Sequence, residues 1–121
     1  MKVLVCGSRE WLYRLPIERE LKKLLPGTIL IHGGANGADS LAGEIGETLG
    51  FEVRCYRADW GRLGRRAGPI RNSEMLKKEH RPEEPIDLVL AFTKYLDGSK
   101  GTKDMVMKSR AAGLQVTVFS V

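Results

Sequence analysis

The chain has 121 residues, of which 42% are hydrophobic and 29% are charged. This length suits one globular domain with a substantial core, so we expect residues 1–121 to form a single domain. The apolar runs are too short to span a bilayer and the start does not resemble a signal peptide, so we expect a cytoplasmic protein with no membrane partner.

The net charge of +5 is concentrated in one segment. Between Arg54 and Arg81 there are nine lysines or arginines against three acids. Such a segment could meet nucleic acid or a phosphorylated small molecule, although a solvated helix face is the commoner meaning of a charge run. The two cysteines, Cys6 and Cys55, show no C-x-x-C spacing, so we interpret them as buried free thiols and expect no metal or cofactor.

The first predicted elements are a strand and a packing helix. Lys2 to Cys6 is a short apolar strand, and Gly7, Ser8 and Arg9 follow its carboxyl end. A glycine, a hydroxyl and a fixed cation at this place are typical of a small phosphate or ribose contact, but a simple turn would look the same. A helix then begins near Pro16, and its apolar stripe ends at Pro26-Gly27; the stripe consists of Ile17, Leu21, Leu24 and Leu25.

The second strand runs into a glycine turn that opens a helix. The strand is predicted over Thr28 to Ile31, and the helix from Ala38 to near Gly50. The turn contains Gly33, Gly34 and Gly37. Unpaired N–H groups at such a turn suit a phosphate, although parallel α/β connections also need glycines simply to turn. Asp39 is best explained as a cap; alternatively it could bind a ribose hydroxyl or position a water.

A third strand, Glu52 to Tyr56, leads into a loop from Ala58 to Pro69 that is rich in glycine and arginine. Pro69 fits the first turn of the next helix. Arginines near a helix N-terminus oppose the helix dipole, and a bound anion would resolve this conflict. The arginines concerned are Arg65, Arg66 and Arg71.

The fourth strand, Ile86 to Phe92, exits through a second glycine-rich turn, from Asp97 to Asp104. The predicted phosphate contacts in this turn are Gly98, Ser99, Lys100, Gly101 and Thr102. Thr102 could instead cap the following helix, which ends near Ala112 with Gly113 as its C-cap. Gln115 to Val121 is the last predicted strand.

Five strands alternating with four helical segments predict an α/β fold: a Rossmann-like three-layer sandwich with a mostly parallel five-stranded sheet and helices on both faces. Right-handed crossovers bring the exits of the first, second and fourth strands to one edge. Ligands bind at this edge in open α/β sheets, so we expect the two glycine turns and Gly7-Ser8-Arg9 to converge on a phosphate-bearing ligand.

Five motifs in this order resemble the SLOG superfamily, and most closely its YspA-like, cpYpsA-related group from bacteria and phages. They are Cys-Gly-Ser, Gly-Gly-Ala-Asn-Gly-Ala-Asp, Ala-Asp-Trp, Gly-Pro-Ile-Arg-Asn-x-x-Met and Gly-Ser-Lys-Gly-Thr-x-Asp-Met. The resemblance covers nearly the whole chain. It implies a Rossmann-like domain that binds nucleotides or nucleotide-derived ligands, and a homodimer, since relatives commonly dimerise.

The Lonely-guy phosphoribohydrolases are distant relatives that carry Arg-Lys-x-x-Met and Pro-Gly-Gly-x-Gly-Thr-x-x-Glu motifs. By this resemblance Arg71 takes the place of the family arginine, while Asn72 replaces the lysine. The catalytic glutamate falls on Met105, which cannot stabilise a ribosyl cation or activate water. Asp104 lies one residue away, about 100° round a helix.

Two function classes therefore remain. The first is a nucleotide-binding module that senses or sequesters its ligand, with Trp11 or Trp60 available to stack a base, although a packed core role is simpler for each. The second is a nucleotide N-glycosidase, with Arg71 and with Asp104 or Asp39 as its acid. Direct nucleic-acid binding through the basic segment is a weaker third idea, because no nucleic-acid-binding motif accompanies it.

Overall fold

The computed structural model describes residues 1–120 and shows the predicted α/β architecture. Its strands are β1 (Lys2–Gly7), β2 (Ile29–His32), β3 (Glu52–Cys55), β4 (Leu88–Phe92) and β5 (Val116–Phe119). Its helices are α1 (Arg14–Leu21), α2 (Ala38–Thr48), α3 (Trp60–Leu63), α4 (Ala67–Glu79) and α5 (Lys100–Ala111), with a 3₁₀ turn at Gly64–Arg66. Val121, the end of the last predicted strand, lies outside the described residues.

All five strands are parallel, in the order β3-β2-β1-β4-β5. Residues alternate between two cores, one under α1 and α2 and the other under α4 and α5. Val3 and Val5 face the first core, whereas Leu4 and Cys6 face the second. This two-sided burial explains why β1 is a continuous apolar run, and it confirms the predicted three-layer sandwich.

Helix α1 is shorter than the predicted helix. It ends at Leu21, and Leu25 is 79% exposed rather than part of an apolar stripe. Leu24 closes a tighter turn by donating to the Leu21 carbonyl at 3.0 Å. Because Pro26 disfavours a helical conformation for the residue before it, the chain leaves the helix before the stripe is complete.

Two other expectations are wrong. Cys6 is buried as predicted, but Cys55 is exposed because β3 is an edge strand, and both thiols are free.

The loop between β3 and α4 holds the additional short helix α3, whose N-terminus is capped by the Asp59 side chain accepting from the Arg62 N–H at 3.1 Å. Within residues 1–120, no helix is long and apolar enough to cross a bilayer.

Candidate functional site

A cleft of about 790 Å³ lies at the carboxyl edge of the sheet. β1 is central, and the chain moves from β3 on one side to β4 on the other, so the strand order switches between β1 and β4. Gly7 and Phe92 pair at this switch point, and the cleft opens beyond them. Its volume is that of a pocket for a molecule of nucleotide size, and its place is where open α/β sheets bind ligands.

Most of the residues predicted as site residues line this cleft, because the exits of β1, β2 and β4 meet at the same edge of the sheet. They are Gly7, Ser8, Arg9, Gly33, Asp39, Arg71, Gly98, Ser99, Lys100, Gly101 and Thr102. Three predicted residues, Gly34, Gly37 and Asp104, are outside the lining. Residues as far apart in the chain as Gly7 and Thr102 thus meet in one place.

The first turn of α5 opens into the cleft without a side-chain cap. Ser99 occupies the N-cap position, but its hydroxyl lies 2.7 Å from the Thr93 hydroxyl and makes no capping hydrogen bond. The alternative role of Thr102 as the cap is wrong, because α5 begins at Lys100. Backbone N–H groups in a first helical turn have no intrahelical partner, and a Cβ placed on Gly101 would meet no atom within 4 Å. An anion therefore has both donors and space here.

The glycine turn between β2 and α2 already contains a carboxylate. Asp39 Oδ2 accepts from the N–H groups of Gly33 at 3.0 Å and Ala35 at 3.3 Å. The Gly34 N–H donates to His32 Nδ1 at 3.0 Å. Asp39 therefore binds the turn that precedes α2 rather than the first N–H groups of the helix itself, and much of the hydrogen-bonding capacity predicted for a phosphate is used by the protein.

Gly37 has a packing role. Its φ is +82°, and a Cβ there would overlap the backbone carbonyl oxygens of Ser8 and Arg9. The Ala38 N–H also donates to the Ser8 carbonyl at 3.2 Å. Gly37 thus lets the start of α2 lie directly against the loop that follows β1, which positions Ser8 and Arg9 at the cleft.

Arg71 connects three elements at the cleft floor. Its Nη1 donates to the Gly33 carbonyl and, at 3.3 Å, to the Tyr56 carbonyl, while its Nε donates to Asn72 Oδ1 at 2.9 Å. A Cβ on Gly33 would overlap the guanidinium. The arginine that conflicts with the α4 dipole is therefore compensated by carbonyls at the ends of β2 and β3.

Burial shifts several pKa values at the cleft floor and beside it. Burial raises the pKa of Asp39 to about 6, although the Ala35 N–H and the Arg71 guanidinium act in the opposite direction. Burial, with Asp39 nearby, also raises the pKa of the Cys6 thiol far above its usual range. Burial and the neighbouring Arg57 lower the pKa of His32, which fits a neutral imidazole whose Nδ1 accepts a hydrogen bond.

Asp104 connects α4 to α5 and does not line the cleft. Its carboxylate accepts from Asn72 Nδ2 at 3.0 Å and from Lys108 Nζ at 2.8 Å. Lys108 in turn donates to the Pro69 carbonyl at 2.8 Å. At the neighbouring position Met105 is fully buried and lines the cleft. The helical phase therefore presents a thioether to the cleft where the Lonely-guy motif has its glutamate.

The charge of the cleft lining is predominantly positive. Its cations are Arg9, Arg65, Arg71, Lys94 and Lys100, and its only carboxylates are Glu10 and Asp39. None of these five cations lies within 4.0 Å of a carboxylate in residues 1–120. The cleft therefore keeps an excess of positive charge, which attracts anions.

Sequence reasoning missed Thr93, Lys94 and Tyr95, which line the cleft directly after β4. The rule that selected Gly7-Ser8-Arg9, polar residues at a strand's carboxyl end, would also have selected Thr93 and Lys94.

The two tryptophans differ in their burial. Trp11 is 3% exposed in the core, whereas Trp60 is 46% exposed at the cleft, with the Arg9 guanidinium 4.9 Å from its ring centroid. A packed role is therefore right for Trp11 and wrong for Trp60.

Ion pairs in residues 1–120 involve three of the nine cations of the basic segment. Arg54 pairs with Glu52 at 2.6 Å and with the buried Glu79 at 2.8 Å. Glu79 also pairs with the buried Lys2 at 2.9 Å. Arg62 pairs with Asp59, and Arg81 with acids of the loop before β4. Among the cations of this segment that form no ion pair in residues 1–120, Arg65 and Arg71 line the cleft.

The fold and the cleft define a Rossmann-like domain with an anion-attracting pocket at its switch point. The family model described as YspA, cpYpsA-related SLOG family matches residues 1–63. The Gene 61 protein of Mycobacterium phage D29 is 35% identical over 127 aligned positions, which cover 98% of this chain and 95% of that protein. The chain therefore belongs to the YspA, cpYpsA-related SLOG family, as its motifs indicated. Membership suggests that its ligand is nucleotide-related, whether bound or processed.

Proposed function

We propose that this protein binds a nucleotide or nucleotide-derived molecule in the cleft and acts as a sensing or sequestering module. The observation that carries the proposal is the open first turn of α5. Its N-cap side chain is bonded to Thr93 instead of to the helix, and the space beside Gly101 is empty. Exposed N–H donors with the helix dipole behind them suit a phosphate group.

The charges around the cleft favour the same ligand. Lys100 lies in this first turn, and Arg9, Arg65 and Lys94 approach from three other segments. The cleft of about 790 Å³ has room for a sugar and a base beside the phosphates. The half-exposed Trp60 ring at the rim offers an aromatic surface to a base.

A Lonely-guy type hydrolase is the second candidate, and the position of Asp104 weighs against it. Its carboxylate is bonded to Asn72 and Lys108, and buried Met105 lines the cleft in the place of the family glutamate. Nucleic-acid binding is less well supported still, because Arg54, Arg62 and Arg81 are held in ion pairs. Direct binding of DNA would show as a steep loss of affinity with salt.

The test is a panel of nucleoside mono-, di- and triphosphates, cyclic nucleotides and ADP-ribose, with thermal unfolding measured first. A ligand at a hundred times its Kd should raise the Tm by about 10 °C. Each mixture is then chromatographed for free base. Stabilisation with the ligand recovered intact supports the binding module. Release of free base would make the protein a hydrolase, and the absence of stabilisation by every phosphate-bearing compound would contradict the proposal.

A further inference from the structure

The Asp39 carboxylate uses only one of its two oxygens within the protein. Oδ2 accepts both backbone hydrogen bonds, from Gly33 and Ala35. Oδ1 has no hydrogen-bond partner in residues 1–120. Because this oxygen is not fully enclosed by protein atoms, it keeps contact with the cleft that Asp39 lines. The residue as a whole is 5% exposed. An acceptor oxygen with little exposure to solvent is therefore held in a fixed position at the cleft floor.

A capping role alone does not account for a charged group here. Asparagine could accept the same two N–H bonds without the cost of burying a carboxylate. Arg71 and Arg9 lower that cost, but neither is within 4.0 Å of Asp39. The remaining oxygen thus stays without a donor, and a ligand that brings O–H groups would supply one.

The charge of the same carboxylate favours one orientation of a bound nucleotide. It repels phosphate from the turn between β2 and α2, whereas the open turn at Gly101 attracts it. With the phosphates at α5, the part of the ligand left for the opposite side of the floor is its sugar. We propose that Asp39 Oδ1 accepts hydrogen bonds from the ribose hydroxyls of the ligand, so that the cleft selects ribonucleotides over deoxyribonucleotides. This inference rests on the proposed function.

The test is isothermal titration of the full chain with ADP and GDP, their 2′-deoxy and 3′-deoxy counterparts, and inorganic pyrophosphate. We expect at least one ribonucleotide to bind about tenfold or more tightly than one of its deoxy counterparts. Asp39→Asn should abolish that difference without weakening the binding of pyrophosphate, because it removes a negative charge from the cleft. Glu44→Gln, which changes an exposed carboxylate on the same helix, should keep the difference.

The outcomes separate the two proposals. Pyrophosphate binding with equal affinity for ribo and deoxy nucleotides overturns the sugar assignment and leaves the anion cleft standing. Failure of pyrophosphate and of every nucleotide to bind overturns both. If Asp39→Asn weakens pyrophosphate as much as ADP, Asp39 only supports the turn and the assignment is wrong. Should that variant fail to fold, the ribo to deoxy ratio of the unmodified protein still decides the question.

Discussion

Asp39 and Arg71 bind the same residue, Gly33, from its two sides. The Asp39 carboxylate accepts the Gly33 N–H at 3.0 Å, and the Arg71 guanidinium donates to the Gly33 carbonyl. The two charged groups act on each other across the cleft floor without a direct ion pair within 4.0 Å. One peptide segment thus fixes an acid from α2 and a cation from α4 at the end of β2.

This arrangement predicts an energetic coupling. Arg71→Met should lower the free energy of unfolding by about 2–3 kcal/mol, because it leaves carbonyls of Gly33 and Tyr56 without their charged donor. In an Asp39→Asn background the same change should cost about 1 kcal/mol less, since no buried carboxylate then loses its nearby cation. Urea unfolding of the four proteins at pH 7.5 measures this. Equal costs in both backgrounds would show that the two groups are independent.

The buried Asp39 also predicts how stability varies with pH. Its pKa of about 6 in the folded protein lies above its ordinary value of 3.8, so the folded state binds more protons between these values. The free energy of unfolding should therefore contain a contribution that is present below about pH 4 and is lost as the pH rises to about 6, on the order of 3 kcal/mol. The charged and titratable groups that act on Asp39 are Arg71, Arg9 and Cys6, and burial holds the pKa of the Cys6 thiol far above this window.

Asp39→Asn should accordingly gain stability relative to the unmodified protein as the pH rises from 4 to 7. Guanidinium unfolding at several pH values measures the difference, in which other titrating groups cancel. Glu44→Gln, which changes an exposed carboxylate on the same helix, serves as the control. A difference between Asp39→Asn and the unmodified protein that is constant with pH would contradict the assigned shift.

The glycine turn could be found in the sequence, but the role of each glycine could not. Alternation of strands with helices is visible in local patterns, and the rule for right-handed crossovers then brings the strand exits together. The role of Gly37 is not visible in the sequence, because a side chain is excluded at this position by the carbonyls of Ser8 and Arg9, some thirty residues earlier in the chain. Likewise, Asp104 is turned away from the cleft by a hydrogen bond from Asn72, which lies on the neighbouring helix α4. Only the folded packing reveals which polar group faces the cleft and which faces a neighbour.

Gly37 can be separated from an ordinary left-handed glycine by comparison with Gly27. Both have positive φ, +82° and +87°, but a Cβ on Gly27 meets no atom within 4 Å. Gly27→Ala should cost about 1 kcal/mol from backbone strain alone. Gly37→Ala should cost at least about 2 kcal/mol more and should weaken ADP binding, because the loop carrying Ser8 and Arg9 must move. Thermal unfolding and ADP titration of both variants test this, and similar behaviour of the two would refute the packing role.

The most direct test of the anion cleft is titration of ADP into Gly101→Val and Ala111→Val. Both place a β-branched side chain on α5, at the first turn in one case and at the exposed last residue in the other. Since a Cβ at position 101 meets nothing in the protein, Gly101→Val should fold with a Tm close to that of Ala111→Val. We predict that it binds ADP at least about thirtyfold more weakly than the unmodified protein, while Ala111→Val binds normally. A folded Gly101→Val variant with unchanged ADP affinity would contradict the phosphate site at α5.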